Sequence, residues 1–244
     1  VERMVKSYVP IGQGSRPLHY IEHKSLTYNE PLVYVFNNPK ARQTIISTYQ
    51  SVPAMRTPAE RSRFKIWANY FGGGMSSVLF QDIREFRALA YSAQGRTWLT
   101  DLKLNPDSPC AFVTSLGTQS DKSMRALGVL DSIFTDMPLR PANVDATRQQ
   151  IINSVNNNYP SFRDIGSFVS REQLYGYTED PDKDLVSWLP TMGMADVSAF
   201  YGQYIQKAPR VTIIVGNKAN LDMKQVSRLG RIIEVTGRDV YRTR

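Results

Sequence analysis

The chain has 244 residues, 41% hydrophobic and 21% charged, the balance of a folded globular protein with room for one large domain or two small ones. The formal net charge is +8, but the basic residues are scattered, and the densest stretches, 56–65 and 228–244, lack the interleaved aromatics of a single-strand nucleic-acid binder. No apolar run nears the roughly 18 residues that span a membrane, no signal peptide is visible, and a single cysteine leaves no internal disulfide to form. A start at Val1 without Met is expected of a mature form or an excised piece, so localisation cannot be taken from this end.

In chain order, Val1, Met4, Val5 and Tyr8 keep helical spacing and read as the tail of a helix. Pro10, Gly12, Gly14 and Pro17 then read as linker, so that 1–30 is a helix tail plus interdomain linker and 31–244 one domain. Strands are expected at Leu32–Phe36 and Gln43–Tyr49, separated by an Asn37-Asn-Pro39 turn. Thr57, Pro58 and Glu60 spell a helix start with a capping box, and Phe64, Trp67 and Phe71 line one face of the helix. Gly72-Gly-Gly74 breaks that helix, after which Met75, Leu79, Ile83 and Phe86 resume a helical stripe. Strands at 88–100 and 110–115 flank an Asn105-Pro106-Asp107 turn, and Cys110 in its apolar setting reads as a buried structural thiol. Helices come next at 121–135 (Met124, Leu127, Leu130 and Phe134 inward), at 141–155 (Val144, Ile151 and Val155 inward), beyond Pro160 as far as Tyr177, and at 195–206. A buried strand at Val211–Val215, a short helix at 221–228 and a last strand at 232–235 complete an α+β pattern: an antiparallel-rich sheet with helices packed on one face.

One stretch carries more than periodicity. Tyr70-Phe-Gly-Gly-Gly-Met-Ser-Ser-Val-Leu-Phe-Gln-Asp-Ile-Arg-Glu-Phe-Arg-Ala-Leu-Ala-Tyr91-Ser resembles the glycine kink, Met-Ser-Ser-x-Leu-Phe and Arg-Glu-x-Arg-x-Leu-Ala-Tyr-Ser of the second, inactive half of pitrilysin/insulinase-type zinc peptidases. The Asn38-Pro-Lys-Ala41 turn, Ile213-Ile-Val-Gly-Asn-Lys218 and Leu229-Gly-Arg-Ile-Ile-Glu-Val235 agree with that likeness. Ala88 stands where the family usually has Gly, which is expected to stiffen the helix-to-strand turn.

The resemblance implies a pitrilysin/mitochondrial-processing-peptidase-like fold and a non-catalytic domain. Such a domain faces a zinc-bearing active domain, in the same or another chain, across a chamber that takes a peptide or unfolded protein. It implies that Arg84 and Tyr91, seven residues apart, reach into that active site and hold the substrate backbone. A guanidinium offers fixed donors to peptide carbonyls, and a phenol can donate to a developing oxyanion. The cofactor expectation is no metal in this chain and zinc in the partner domain. The resemblance also suggests a periplasmic or otherwise exported setting, and relatives of this fold that serve as scaffold subunits keep a purely structural role open.

His19-Tyr-Ile-Glu22-His23 is a literal H-x-x-E-H and holds the chain's two histidines. On a helix His19 and His23 would share a face for zinc, with Glu22 as general base, making the chain a zinc hydrolase in its own right. The motif precedes every predicted strand and comes after a Pro/Gly linker. A third ligand is also needed, and Glu60, Glu85 and Glu172 are available by composition but sit in no ligand motif. An exposed linker is the preferred reading, and no other nucleophile–base constellation is expected. Gly72–Gly74 lacks the Gly-Lys-Ser/Thr of a phosphate loop and reads as a kink.

Overall fold

The structure is a computed structural model that describes residues 25–100 and 105–240. Six strands, β1 (Leu32–Asn37), β2 (Gln43–Val52), β3 (Ala90–Trp98), β4 (Cys110–Gln119), β5 (Val211–Gly216) and β6 (Arg231–Val235), form one sheet in the order β3-β4-β2-β5-β1-β6. The β2–β4, β3–β4 and β2–β5 ladders are antiparallel, as the alternating patterns lead one to expect. β1 runs parallel to both its neighbours, β5 and β6. In β2 the residues Thr44, Ile46, Thr48, Gln50 and Val52 point to the helices and are buried, while Ile45, Ser47 and Tyr49 face outward, the period of two expected of a half-covered sheet.

The covering layer is built on α1 (Pro58–Gly72), which starts where its capping residues place it. The Thr57 hydroxyl accepts from the Glu60 N–H at 3.2 Å, and the Glu60 carboxylate accepts from the Thr57 N–H at 2.9 Å. Burial extends beyond the Phe64–Trp67–Phe71 face to Arg61, Ile66, Ala68 and Tyr70, because α1 lies between the sheet and a second tier of helices. Trp67 stacks edge-on against Phe112 of β4 at 4.6 Å and beside Phe200 at 5.5 Å, so the aromatic core joins sheet and helices directly. Arg61 is wholly buried, with Nε donating to the Met55 carbonyl and Nη2 to the Thr100 carbonyl.

The remaining helices are α2 (Ser123–Thr135), α3 (Pro141–Asn157), α4 (Ile165–Leu174), α5 (Pro181–Trp188), α6 (Met194–Phe200, continued by a π-turn at Tyr201–Ile205) and the short α7 (Met223–Val226) and α8 (Gly237–Val240). α5 is not among the helices expected from periodicity, although Asp180 and Pro181 are an N-cap and first-turn pair and the Asp180 side chain accepts from the Asp182 N–H. It closes a second small core of Ile66, Ile151, Leu185, Leu189 and Met192 on the outside of α1. Cys110 is buried and unpaired. Among the described residues no helix is long and apolar enough to cross a membrane.

At Gly72, α1 comes close to the backbone of Gly95, both its nitrogen and its Cα. A Cβ there would lie 2.6 Å from the backbone nitrogen of Gly95 in β3. Helix propensity alone would make Gly72→Ala stabilising by about 1 kcal/mol. Because both clashing atoms belong to backbone, the substitution is expected instead to cost about 1–3 kcal/mol, measured as a lower urea midpoint at unchanged slope.

Candidate functional site

The glycine kink delivers the chain into a short helical turn and then a π-helix, Phe80–Glu85, in which the Phe86 N–H reaches back five residues to the Gln81 carbonyl. The extra residue per turn shifts the helical phase. Leu79, Asp82 and Ile83 face inward, whereas Met75 and Phe86, expected inward from a period of 3.6, are exposed. Arg84 is thereby left on the outer rim.

The helix closes through Ala88, which sits at φ +47°, the left-handed region. The Ala88 N–H donates to the Arg84 carbonyl at 3.0 Å and the Leu89 N–H to the Ile83 carbonyl at 2.9 Å, a closure one residue wider than the usual left-handed cap, as a π-helix requires. An alanine there bears a steric penalty that a glycine does not. Ala88→Gly is expected to raise stability by about 0.5–1 kcal/mol, the relief of that penalty less the greater freedom of glycine in the unfolded chain, and calorimetry would register it as a small rise in Tm.

β3 then begins with a bulge. Ala90 pairs with Thr118 and Ser92 with Gly117, so Tyr91 is the extra residue, opposite no partner, and is 84% exposed. Bulges re-aim a side chain relative to the alternating pattern. Here the π-turn and the bulge bring the two predicted residues together: the Arg84 guanidinium lies 5.1 Å from the Tyr91 ring centroid and 4.6 Å from that of Phe80. The Arg84 side chain keeps 39% exposure, and its one ion pair among the described residues is to Glu85 at 3.5 Å. The Tyr91 hydroxyl enters no hydrogen bond among the described residues. Apart from the Arg84–Glu85 pair, no described residue takes up the donors of these two side chains on the rim.

Beneath them Asp82, almost fully buried, holds the π-turn in place. Arg87 Nη1 donates to Oδ1 at 2.7 Å and to the Asp82 carbonyl at 2.9 Å, and Arg140 Nη2 lies 2.8 Å from Oδ2. The Arg140 N–H in turn donates to the Tyr70 hydroxyl, whose own proton goes to the Pro138 carbonyl. Burial pushes the Tyr70 phenol above its ordinary range, with Arg140 opposing, so it stays a neutral hydrogen-bond relay. Sequence reasoning missed this clamp. The one available signal was an aspartate on the apolar side of a helical stripe.

From Tyr91 the exposed residues of β3, namely Ser92, Gln94, Arg96 and Trp98, run along the open face of the sheet. At the far end Trp98 joins Leu26, Tyr28, Tyr34, Tyr49 and Ile213 around an apolar cleft of about 360 Å³. Trp98 lies seven residue steps along the strand from Tyr91, roughly 23 Å at the usual rise. His19, Glu22 and His23, with the predicted helix tail and most of the predicted linker, lie outside the described residues. Among the described residues no group of three or more His, Cys, Asp or Glu is placed to hold a metal ion. Of the three glutamates available by composition, Glu60 serves the α1 cap, Glu85 pairs with Arg84 and Glu172 pairs with Arg171 at 3.0 Å.

A family model described as the peptidase M16 inactive domain matches residues 13–137. Comparison with curated proteins returns no match. Among solved structures the chain is similar to a peptidase M16 inactive domain from Pseudomonas fluorescens (TM-score 0.62, 16% identity, 77% of this chain and 43% of that one). It is also similar to the periplasmic protease PqqL from Escherichia coli (TM-score 0.54, 14% identity, 78% and 21%) and to complex III2 from Candida albicans (TM-score 0.58, 10% identity, 82% and 49%). The chain spans less than half the length of each of these structures, and at such identities the likeness is one of fold.

Proposed function

Taking as premise that the chain belongs to the peptidase M16 inactive-domain family, as its resemblance to pitrilysin/insulinase-type peptidases implied, we propose that it is a substrate-holding domain without its own catalytic centre. Arg84 and Tyr91 grip the backbone of a peptide presented to a zinc-bearing domain elsewhere, in the same polypeptide or another. The single observation that carries this reading is their convergence. A π-turn and a β-bulge, each unfavourable for regular structure, place two side chains seven residues apart on one rim, where Arg84 pairs among the described residues with Glu85 alone. An extended peptide of about seven residues, held at that rim, would run along the open face to the apolar cleft, where its side chains could be buried. The likeness to the periplasmic protease PqqL supports an exported, periplasmic setting for the assembly.

The test is cleavage of a peptide by the complete enzyme, this chain together with its zinc-bearing domain, comparing wild type with Arg84→Ala and Tyr91→Phe. A fall in kcat/KM at unchanged zinc content supports the holding role. Unchanged activity would overturn it in favour of a scaffold subunit, since one fold serves different functions. Elemental analysis of the isolated chain separates the remaining alternative, since one equivalent of zinc lost on His19→Ala would make His19, Glu22 and His23 a catalytic site.

A further inference from the structure

Helix α4 runs for ten residues, none of them buried. Ile165, Val169 and Leu174 are exposed on it, and Tyr159 and Phe162 are exposed just before it, Phe162 to 81%. Together with the C-terminal turn of α3 and the start of α5, it walls a cleft of about 410 Å³ whose apolar lining includes Val155, Phe168, Val169 and Tyr177. A helix that keeps its apolar side chains in water gains little from tertiary packing, which is where most helical stability arises. The cleft also lies away from the proposed substrate path. α5 packs on α1, and α1 packs on the covered side of β3, so the helical layer and the sheet separate the cleft from the open face.

Its charge is opposite to that of the chain. Glu172, Glu179, Asp180 and Asp182 line it, and among the described residues no lysine or arginine does, in a protein of net charge +8. Arg171 pairs with Glu172 and Lys183 with Glu179 from outside the lining. The Asp182 carboxyl is held above its ordinary range, first by burial, with Lys65 opposing and Asp180 and Glu172 adding to it. The cleft is thus apolar at its base, with Asp180 and Asp182 at its rim in no ion pair among the described residues.

We propose that this cleft is a docking site for a cationic amphipathic segment of a partner polypeptide. Its apolar side chains would cover α4, and a Lys or Arg would reach Asp180 and Asp182. An amphipathic helix laid in a groove is an established recognition mode. The carboxylate rim disfavours an anionic membrane, which would otherwise suit an exposed apolar helix.

The test uses the full chain and a fluorescent Leu/Lys amphipathic peptide, beside a Leu/Glu peptide of the same pattern, monitored by anisotropy. The Leu/Lys peptide is expected to bind at least ~10-fold tighter. The Asp180→Asn/Asp182→Asn pair is expected to weaken it by ~10-fold, as is Phe168→Ala/Val169→Ser, each with native melting behaviour. Val240→Ala, an exposed apolar side chain on α8 outside both sites, is expected to leave it unchanged. Equal binding of the two peptides, undiminished binding by either cleft variant, or loss of binding in Val240→Ala would each overturn the proposal.

Discussion

Arg84→Ala, in the complete enzyme, is expected to lower kcat/KM for a peptide substrate by ~10²-fold, and Tyr91→Phe by ~10²–10³-fold. The two changes remove different things. A guanidinium that binds peptide carbonyls acts on ground state and transition state alike, so its loss raises KM together with a smaller fall in kcat. A phenol that donates to the developing oxyanion acts chiefly in the transition state, so Tyr91→Phe should lower kcat with KM nearly constant. Arg84→Lys keeps the charge but loses the planar fork and the stacking on Phe80 and Tyr91, and recovers only part of the activity. Because the Arg84 guanidinium lies over the Tyr91 ring, the double variant should lose less than the product of the singles. Strict multiplicativity would show that the two act independently, against a shared grip on one substrate.

The second large effect concerns stability. Removing both partners of Asp82, in Arg87→Ala/Arg140→Ala, leaves a carboxylate of 6% side-chain exposure without a counter-charge. The expected cost is about 3–5 kcal/mol, which for a domain of this size lowers Tm by about 10 °C. Asp82→Ala should cost less, about 1–2 kcal/mol, because the arginines it strands keep 39% and 30% exposure and water can solvate them. A thermal scan of both variants therefore tests the direction of the asymmetry as well as its size. If Asp82→Ala proved the more damaging, the carboxylate would matter for positioning the π-turn more than for charge balance.

Much of the fold was legible in the sequence, and the parts that were not have identifiable causes. The α1 start was readable because a capping box is a local contract among Thr57, Pro58 and Glu60. The strands were readable from alternation, though β2, β4 and β5 run further than expected and β3 is shorter. The outward turn of Phe86 was not readable, since a π-turn breaks the period on which the inward assignment rested, and Met75 lies in the turn before the helix restarts. The burial of α1 beyond its Phe64–Trp67–Phe71 face was hidden for a different reason: it depends on α5, a helix of eight residues with few apolar positions. The pairing of Arg84 with Tyr91 came from family resemblance. The bulge that makes it geometrically possible leaves no mark in composition. Asp82 and Arg140 are 58 positions apart, and no periodicity links them.

The place of β1 in the sheet bears on how the protein is made. Its partners are β5 and β6, and Leu32 pairs with Val211, 179 positions later. At about 5–20 residues per second of synthesis, β1 leaves the ribosome roughly 10–35 s before its first partner exists. Through that interval Leu32-Val-Tyr-Val-Phe36, an apolar strand with both edges open, has nothing native to pair with. β2, β3 and β4 can meanwhile assemble with α1 through nearer contacts. The nascent chain thus passes through a half-sheet with a loose sticky strand ahead of β2, the stage at which a holdase would have most to shield.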